Sequence, residues 1–473
     1  MTSEDRTPGA LLPWLVAIAL FMENLDSTIV NTAVPTMAAS LGVAPLSLKS
    51  VLTSYTLSLA VFIPVSGWMA DRFGTRRVFS VAIVLFMAGS LSCGLASSVP
   101  LLVVSRILQG VGGAMMVPVG RLALVRAFPR SEFLRVLNFV VMPALIGPLL
   151  GPFLGGVIVH WLHWRVIFLM NLPFGILGLL LAWTRMPDFR DPAAPALDVG
   201  GFFLFGSGVA LLSYVLEVFG EHSLSTPTMV AMLAVSAVLL AAYGWHARRE
   251  AHPLLGLHLF KVRTFRSSVV GGFVTRLGIG GMPFLLPLLY QLGLGYAPWQ
   301  AGLLTMPQAA AAILMRAFNR PILRRFGHRW TLLANSLLLG GTLMGFAAVG
   351  RETSPALFIA LGFAQGFFSS LQFTSLNSLV YADVDDREAS RASSISSTAQ
   401  QMSLSFGVAT ASLVVAWFLG AVDQRDPSRA IPALHHAFLA LGGLTLVSSL
   451  IFLTLHRTDG GTVSRFGGGV TAD

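Results

Sequence analysis

The feature that most constrains this chain is a series of apolar runs, each long enough for one membrane-spanning helix. A spanning helix needs about 20 predominantly apolar residues, and 55% of the 473 residues are hydrophobic while only 11% are charged. The runs at 203–219 and 229–245 do not alternate between apolar and polar positions, so they do not match the strands of a membrane β-barrel. We therefore predict an all-α polytopic membrane protein.

Fourteen such runs are present, and each fits one transmembrane helix. The predicted spans are 11–35, 48–70, 77–97, 100–122, 134–160, 164–184, 198–219, 227–247, 268–292, 298–319, 329–349, 355–380, 393–420 and 434–456.

The basic residues lie mainly in the loops on one side of these spans. Cytoplasmic loops carry an excess of Lys and Arg, so we predict cytoplasmic termini and a multi-pass protein of the bacterial inner membrane. The first run contains Glu23 and Asp26, which is unlike the apolar core of a cleavable signal peptide. The net charge of +10 therefore reflects membrane orientation, and no nucleic-acid partner is expected.

A short repeat divides the chain into related halves. Residues 71–77 read DRFGTRR, and 253 residues later residues 324–329 read RRFGHR, in a loop predicted on the same side of the membrane. Two parallel six-helix halves with two helices inserted between them would give this spacing. The predicted halves are residues 1–190 and 263–473, and the inserted helices with their flanking linkers are 191–262.

Glu23 and Asp26 are the acidic residues of the first span. Ionisable groups inside the membrane are costly and are functional candidates, and the i, i+3 spacing places both carboxylates on one helix face. Because both cannot stay charged cheaply at this distance, we predict that the pair takes up and releases protons. The alternative is that one of them only pairs with a cation to fix the packing of the helices.

Arg106 lies in the fourth span at a depth similar to that of Asp26. An ion pair between them is therefore geometrically reasonable, and its making and breaking could couple protonation to shape. A static buried ion pair is the alternative. We place Gln109, which is one turn further along the same span, in the substrate cavity.

The fifth span contains glycines and prolines at four-residue spacing. This spacing places the glycines on one face as a smooth groove, and the prolines kink the helix. We predict a close-packed hinge, with simple helix packing as the alternative, formed by Gly147, Pro148, Gly151, Pro152, Gly155 and Gly156.

Arg276 in the ninth span stands at the position that the repeat makes equivalent to Glu23. We expect the two to face each other across a central cavity, where Arg276 would either attract an acidic substrate group or neutralise Glu23. An arginine held only by helix dipoles and carbonyl groups is the third possibility. Other polar residues assigned to the same cavity are Gln365, Gln372 and Asn377.

The loop after the second span joins an acidic residue to three arginines. Such a charge cluster could latch helix ends together in one conformation and release them in another, although a solvated basic loop would also satisfy the topology. The predicted gating residues are Gly67, Asp71, Arg72, Gly74, Arg76 and Arg77.

Five motifs in order along the chain resemble the major facilitator superfamily, and specifically its fourteen-helix drug:proton antiporter branch. The resemblance implies a proton-coupling role for Asp26 and Arg106, an export-associated hinge at 147–156 and a gating loop around Asp71. The second-half loop departs from the pattern, because Arg324 replaces the acidic residue. The motifs are LDSTIVNTAVP (25–35), GWMADRFGTRR (67–77), RILQGVGGAM (106–115), GPLLGPFLGG (147–156) and WRVIFLMNLPFG (164–175).

We therefore expect a secondary exporter that exchanges small molecules, such as drugs or other amphipathic compounds, for protons by alternating access. The alternative is export of an acidic metabolite such as a carboxylate or its metal chelate. An ATP-driven pump or an enzyme is disfavoured, because neither Lys49 nor Lys261 lies in a phosphate-binding loop. We expect no cofactor and no metal, and a monomer in the lipid bilayer, with a partnership with a membrane-fusion protein left open.

Overall fold

The computed structural model describes residues 11–191, 193–218, 225–385, 388–419 and 427–461. Within these ranges the regular structure is helical, without strands, which confirms the predicted all-α class. The chain divides into two compact units. Unit 1 holds the residues up to Phe202 together with Ala297–Leu303, and unit 2 holds Phe203–Tyr296 together with the residues from Leu304 onward.

The helices before the inserted region belong to unit 1. The first span is interrupted by a 3₁₀ turn at Asn31–Ala33, and a second 3₁₀ turn at Pro45–Leu48 leads into the next helix. The helices are α1 Leu12–Ile29, α2 Val34–Leu41, α3 Lys49–Phe73, α4 Thr75–Leu95, α5 Val99–Ala127, α6 Arg130–Trp161, α7 Val166–Leu169 and α8 Asn171–Arg185.

The remaining helices lie mostly in unit 2, although the first residues of α9 and of α13 belong to unit 1. They are α9 Val199–Val218, α10 Thr226–His246, α11 Arg263–Gly280, α12 Met282–Leu288, α13 Pro298–Gly345, α14 Pro355–Val380, α15 Ala389–Leu419 and α16 Pro427–Phe452, with a π-helical turn at Leu289–Gly293.

Twelve helices in the described ranges are long and apolar enough to cross a membrane. One of them, Pro298–Ala348, covers two of the predicted spans, and the predicted fifth span contributes the shorter apolar stretch Leu145–Trp161. The chain is thus a multi-pass membrane protein, and the count of fourteen stays a prediction.

Between the predicted spans at 298–319 and 329–349 the break is much shorter than expected, because α13 consists of two helices that are separated only at Gly327. The helix changes direction at Gly327, whose dihedral angles of φ 69° and ψ 170° are not helical. The equivalent glycine of the first half is Gly74, which has φ 96° and separates α3 from α4. A single glycine in a conformation that other residues rarely adopt therefore makes this turn in both halves.

The packing of unit 1 centres on α1 and α5. Helix α1 packs along α6, and α5 packs between α3 and α4. Close approach is possible because the glycines of α5 lack a Cβ. A Cβ at Gly112 would stand 2.5 Å from the backbone nitrogen of Phe86, and one at Gly110 would stand 2.6 Å from Cβ of Ser58. These contacts fix the depth and rotation of α5 and hence of Arg106.

Unit 2 is organised around α11, which packs against α14, α15 and α16. Glycines again allow close contact. A Cβ at Gly280 would lie 2.9 Å from the carbonyl oxygen of Leu404, and one at Gly407 would lie 2.7 Å from that of Leu277. Arg276 is consequently held on a helix that packs against three others.

Candidate functional site

Asp26 is fully enclosed in unit 1, with 0% of its surface exposed. Its Oδ2 accepts a hydrogen bond from NH1 of Arg106 at 2.5 Å. Its Oδ1 accepts two more, from Nε2 of Gln109 and from Nδ2 of Asn171, both at 2.8 Å. Three donors from two neighbouring helices therefore bond both oxygens of this carboxylate.

Arg106 is also enclosed and has several partners besides Asp26. Its Nε donates to the carbonyl oxygen of Val51 at 3.2 Å, and its NH1 donates to Oε1 of Gln109 at 2.7 Å. The guanidinium carbon lies 4.3 Å from the ring centre of Tyr55, within cation–π range. The ion pair expected from the sequence is therefore present, while its role in proton coupling stays a prediction.

Removing either partner of this pair would strand the other charge in a dry interior. A buried ion pair is a weak source of stability, but the loss of one partner typically costs about 3–5 kcal/mol. Asp26 and Arg106 are thus suited to a site whose state depends on whether the carboxylate carries a proton. Gln109, which we had assigned to the substrate cavity, is positioned as a bridge between these two residues.

Glu23 lies one turn before Asp26 on α1 and is only partly enclosed. Its Oε2 is buried, and no hydrogen-bond partner reaches it within the described residues. The two carboxylates of the first span therefore differ in their surroundings. Both oxygens of Asp26 accept hydrogen bonds, whereas Oε2 of Glu23 has no partner within the described residues. This oxygen could take up a proton or accept a hydrogen bond from water or substrate.

The predicted hinge helix is the direct neighbour of the segment that carries Asp26. A Cβ at Gly147 would lie 2.9 Å from the backbone nitrogen of Leu25, and Cβ atoms at Gly151 and Gly155 would collide with Thr28 and with the carbonyl oxygen of Ile29. The face that carries Gly147, Gly151 and Gly155 is therefore a groove filled by α1. A Cβ at Gly156 would instead meet Pro298, so that glycine faces another element of unit 1.

The prolines of α6 lie within this packed region. Hydroxyl groups of α1 reach the α6 backbone there. Thr32 donates to the carbonyl oxygen of Pro152 at 2.9 Å, and Thr28 makes a longer bond of 3.5 Å to that of Gly147. Pro148 and Pro152 each remove a backbone donor from the helix, and the two threonine bonds add polar contacts between α1 and α6 in the same region. The hinge motion itself stays a prediction.

The gating loop is held by partners that differ in part from those expected. Asp71 pairs with Arg126 of α5, whose NH2 lies 2.6 Å from Oδ1 of Asp71. Arg76 donates from Nε to the carbonyl oxygen of Met186, at 2.5 Å, and from its backbone nitrogen to Oδ1 of Asp188. The acidic residue of the loop thus binds an arginine distant in sequence.

The two glycines of the loop differ. Gly74 makes the turn, and a Cβ there would collide with Asp188. Around Gly67, no described atom outside its own helix backbone lies within 4 Å of where a Cβ would stand, so this glycine does not mark a close helix contact. Arg72 and Arg77 are exposed on the same loop.

In unit 2, Arg276 is enclosed and is brought together with Asn377. Its NH2 lies 3.4 Å from Oδ1 of Asn377, and its guanidinium carbon lies 4.8 Å from the ring centre of Phe373. The Nε atom is buried without a hydrogen-bond partner in the described residues. Glu23 and Arg276 belong to different units, so their predicted approach stays a prediction.

Gln365 and Gln372 make other contacts in unit 2. Gln372 accepts from Nδ2 of Asn335 at 2.7 Å and donates to Ser336 at 3.0 Å, and Gln365 donates to Ser369 at 3.2 Å. Both residues are buried. Gln372 joins a neutral network between α13 and α14, whereas the bond of Gln365 lies within α14. The place of both residues in a substrate cavity stays a prediction.

Asn171 is the site residue that the sequence reasoning missed. It lies inside the motif at 164–175, but its neighbours are apolar and no charged residue stands near it in sequence. A signal was available, because a buried asparagine needs hydrogen-bond partners. The carboxylates of Glu23 and Asp26 on the first span were the natural candidates for the hydrogen-bond partner of Asn171.

No metal centre is indicated in the part of the chain that the structure describes, where no three His, Cys, Asp or Glu side chains are grouped as ligands.

Sequence comparison now decides the family. The family model described as Major Facilitator Superfamily matches residues 16–347 and 268–470. The chain belongs to the Major Facilitator Superfamily. This membership agrees with the helical fold, the repeat and the order of the five motifs.

Curated relatives within the Major Facilitator Superfamily cover almost the whole chain. A Klebsiella pneumoniae (strain 342) protein named "Putative multidrug resistance protein MdtD" is 40% identical over 446 residues, which is 93% of each chain. A protein of the same name from Enterobacter sp. (strain 638) is 41% identical over 426 residues, covering 90% of this chain and 89% of the relative.

Solved structures support the fold. A POT family transporter in complex with a thioalcohol-conjugated peptide aligns with a TM-score of 0.71 at 16% identity, covering 93% of this chain and 94% of that one. A D-xylose–proton symporter aligns with a TM-score of 0.66 at 16% identity, covering 95% and 98%. At these identities the likeness concerns the fold alone.

Proposed function

We propose that this protein is an inner-membrane exporter that drives small amphipathic molecules, including drugs, out of the cell in exchange for protons. Membership of a transporter superfamily and relatives named for multidrug resistance support this function. The observation that carries the proton-coupled part is the enclosed Asp26 with three hydrogen-bond donors.

Asp26 is proposed to carry the proton. While it is charged, Arg106 and the two amides hold it, and the segment of α1 that bears it stays packed in the groove of α6. A proton that reaches Asp26 neutralises the carboxylate and weakens its attraction to Arg106. The two charge states of one residue thus favour different packing, which is the requirement for coupling a proton to a conformational change.

The energetics allow such coupling. One elementary charge moving through 100 mV is worth about 2.3 kcal/mol, before any pH gradient is added. Alternating access then exposes the same carboxylate to each side in turn. Glu23 is proposed to bind substrate or a second proton, because its unsatisfied oxygen is close to Asp26 in sequence and lies on the same helix face.

The gating loop and the glycine groove are proposed to act as mechanical parts of this cycle. The Asp71–Arg126 pair ties the end of α3 to the end of α5. It is exposed enough for water to replace it, so it could open without a large penalty. The termini are proposed to lie in the cytoplasm, on the side that carries most of the basic loops.

Export of an acidic metabolite is the weaker alternative. It depends on Arg276, whose buried Nε lacks a partner in the described residues. The names of the relatives favour drug-like substrates over metabolites.

The experiment is proton-driven uptake of ethidium, a cationic dye, into everted membrane vesicles. Asp26→Asn keeps the size of the side chain and removes its charge, and we expect it to abolish uptake driven by the proton gradient. Glu250→Gln, a similar change at an exposed residue, is the matched control and should transport normally. Uptake by Asp26→Asn equal to that of the unmodified protein would refute the assigned role.

A further inference from the structure

We propose that Asn171 is the positioning residue that senses the charge of Asp26 and passes the change to the contact between α8 and α4. The inference rests on the proton-carrier role proposed for Asp26. It adds a specific residue and a specific motion, an amide rotation, to that role.

The hydrogen bonds around Asn171 have an unambiguous direction. Its Nδ2 donates one hydrogen to Oδ1 of Asp26 at 2.8 Å and the other to Oγ of Ser90 at 3.0 Å. Ser90 uses its own hydrogen to donate to the carbonyl oxygen of Phe168 at 2.8 Å. Because a charged carboxylate is acceptor-only, the amide nitrogen must face Asp26, and the alternative amide orientation would place two oxygens together.

A proton on Asp26 reverses this requirement. A protonated carboxyl group has an O–H that needs an acceptor, but two N–H donors face Oδ1. One of the two amides must therefore turn its oxygen toward the carboxyl group. Protonation at Oδ2 is less favourable, because that oxygen faces the guanidinium of Arg106.

The two amides differ in what their rotation would break. Oε1 of Gln109 accepts from the charged Arg106 at 2.7 Å, and charge-assisted hydrogen bonds are roughly twice as strong as neutral ones. Rotation of Asn171 breaks, beside its own bond to Asp26, the neutral bond from Nδ2 to Ser90. Asn171 is therefore the amide that turns when Asp26 is protonated.

The broken bond links two helices. Asn171 is the first residue of α8, directly after the break from α7, and Ser90 lies in α4. Further along, Gly175 of α8 contacts Met87 of α4 so closely that a Cβ would collide with its side chain. Loss of the Asn171–Ser90 bond thus removes a polar tie next to a tightly packed helix contact.

Other titratable groups act on Asp26 as well, and the test must separate them. Arg106 on α5, Tyr55 on α3, Cys93 on α4 and Glu23 on α1 all interact with it electrostatically. None of these groups is altered when Asn171 is replaced.

The experiment follows the protonation of Asp26 directly in purified protein. The infrared carbonyl band of a protonated carboxylic acid is titrated against pH, and the contribution of Asp26 is assigned as the part that Asp26→Asn removes. Asn171→Leu has a similar volume and no donor. We expect it to raise the midpoint of the Asp26 band by about one pH unit, the typical effect of one hydrogen bond to a charged group.

Three further variants make the test specific. Asn171→Gln, which restores an amide, should return the midpoint toward that of the unmodified protein. Ser90→Ala should shift it upward by less than Asn171→Leu does, because only the orientation of the amide is loosened. Asn24→Leu makes the same change at an asparagine of α1 that donates to the carbonyl oxygen of Leu20, and it should leave the midpoint unchanged.

An Asn171→Leu protein that elutes and melts like the unmodified one but has the same Asp26 midpoint would overturn the proposal. If Asn171→Leu does not fold, Asn171→Ala, which also lacks a side-chain donor, is titrated in its place with the same expected direction. Ethidium transport by Asp26→Asn would refute the proton-carrier role of Asp26. The infrared titration reports on Asn171 independently of transport. Failure of the proposal for Asn171 can therefore be told apart from failure of the proposed function.

Discussion

Unit 1 has a charged pair at two positions of the repeat where unit 2 has isoleucines. In unit 1, Asp26 and Arg106 form a fully enclosed ion pair. The positions 253 residues later are occupied by Ile279 and Ile359, so the second half cannot form such a pair. Its own membrane-depth cation, Arg276, has a long contact to Asn377 and a buried Nε without a partner in the described residues.

The difference shows where proton-dependent chemistry can reside. A buried carboxylate that is paired with a cation changes its interactions sharply when it is protonated. The Asn335, Gln372 and Ser336 network of unit 2 is neutral, so it has no equivalent response to pH. We infer that unit 1 carries the proton and that unit 2 contributes recognition and shape.

The largest expected effect comes from breaking the charge pair in unit 1. Arg106→Leu leaves Asp26 charged and buried, and we expect a loss of about 3–5 kcal/mol in the free energy of unfolding together with loss of transport. Arg276→Leu removes a cation that has no carboxylate partner in the described residues, so its cost should be much smaller. Thermal unfolding of both purified variants checks this, and equal destabilisation would contradict the contrast.

The next effect concerns glycines in the two units. Gly151→Val places a side chain against Thr28 in the α1–α6 contact and should cost about 1–3 kcal/mol as an overpacked core does. Gly341→Val in unit 2 is the control, because no described atom lies within 4 Å of its Cβ position. The melting temperature and the ethidium uptake of each variant provide the measurement. A Gly151→Val protein with full ethidium uptake would contradict the proposed role of the glycine groove in transport.

A smaller effect separates the repeated turns. Gly74→Ala and Gly327→Ala both force alanine into a positive φ, which costs about 1–2 kcal/mol. Gly74→Ala should be the worse of the two, because its Cβ also collides with Asp188, whereas the nearest atom to the Gly327 position is 3.8 Å away. Unfolding in denaturant would test the order, and the reverse order would show that the contact with Asp188 does not add to the cost at Gly74.

The smallest effect lies at the end of unit 2, where Asp459 binds Arg263 through two hydrogen bonds. Burial raises the pKa of Asp459, but the hydrogen bonds from Arg263 and from the backbone of His456 outweigh it, so the net pKa lies below its ordinary value. A lowered pKa stabilises the fold above the ordinary carboxyl value of about 3.9. This contribution is lost as pH falls through the folded value.

Asp459→Asn should therefore destabilise the protein by less than about 1 kcal/mol at neutral pH, and the difference should vanish in acid. Melting temperatures of the two proteins across a pH series give the comparison. A difference in melting temperature that grows toward acid pH would contradict a stabilising role of the charged Asp459.

Much of unit 1 could be predicted from the sequence because helix geometry is regular. Residue spacing alone put Glu23 and Asp26 on one face, and a rise of about 1.5 Å per residue put Arg106 at the depth of Asp26. The glycine groove followed from four-residue spacing. These inferences need only one helix at a time, or two helices that cross the same bilayer.

What the sequence could not supply were partners chosen by rotation and tertiary packing. Asp71 stands beside Arg72 in sequence but binds Arg126 on α5. Asn171 reaches Asp26 because α8 packs against α1, and no periodicity specifies that approach. The short turn at 320–328 could not be predicted, because polar residues suggested a longer loop where Gly327 alone separates two helices.

The proton-carrier role proposed for Asp26 is tested most directly by measuring proton flux instead of dye uptake. Everted vesicles are given a pH gradient, ethidium is added, and the dissipation of the gradient is recorded with a pH-sensitive probe. We expect ethidium to dissipate the pH gradient in vesicles with the unmodified protein and with Arg276→Gln, but not in vesicles with Asp26→Asn. Ethidium-dependent proton flux through Asp26→Asn at the level of the unmodified protein would contradict it.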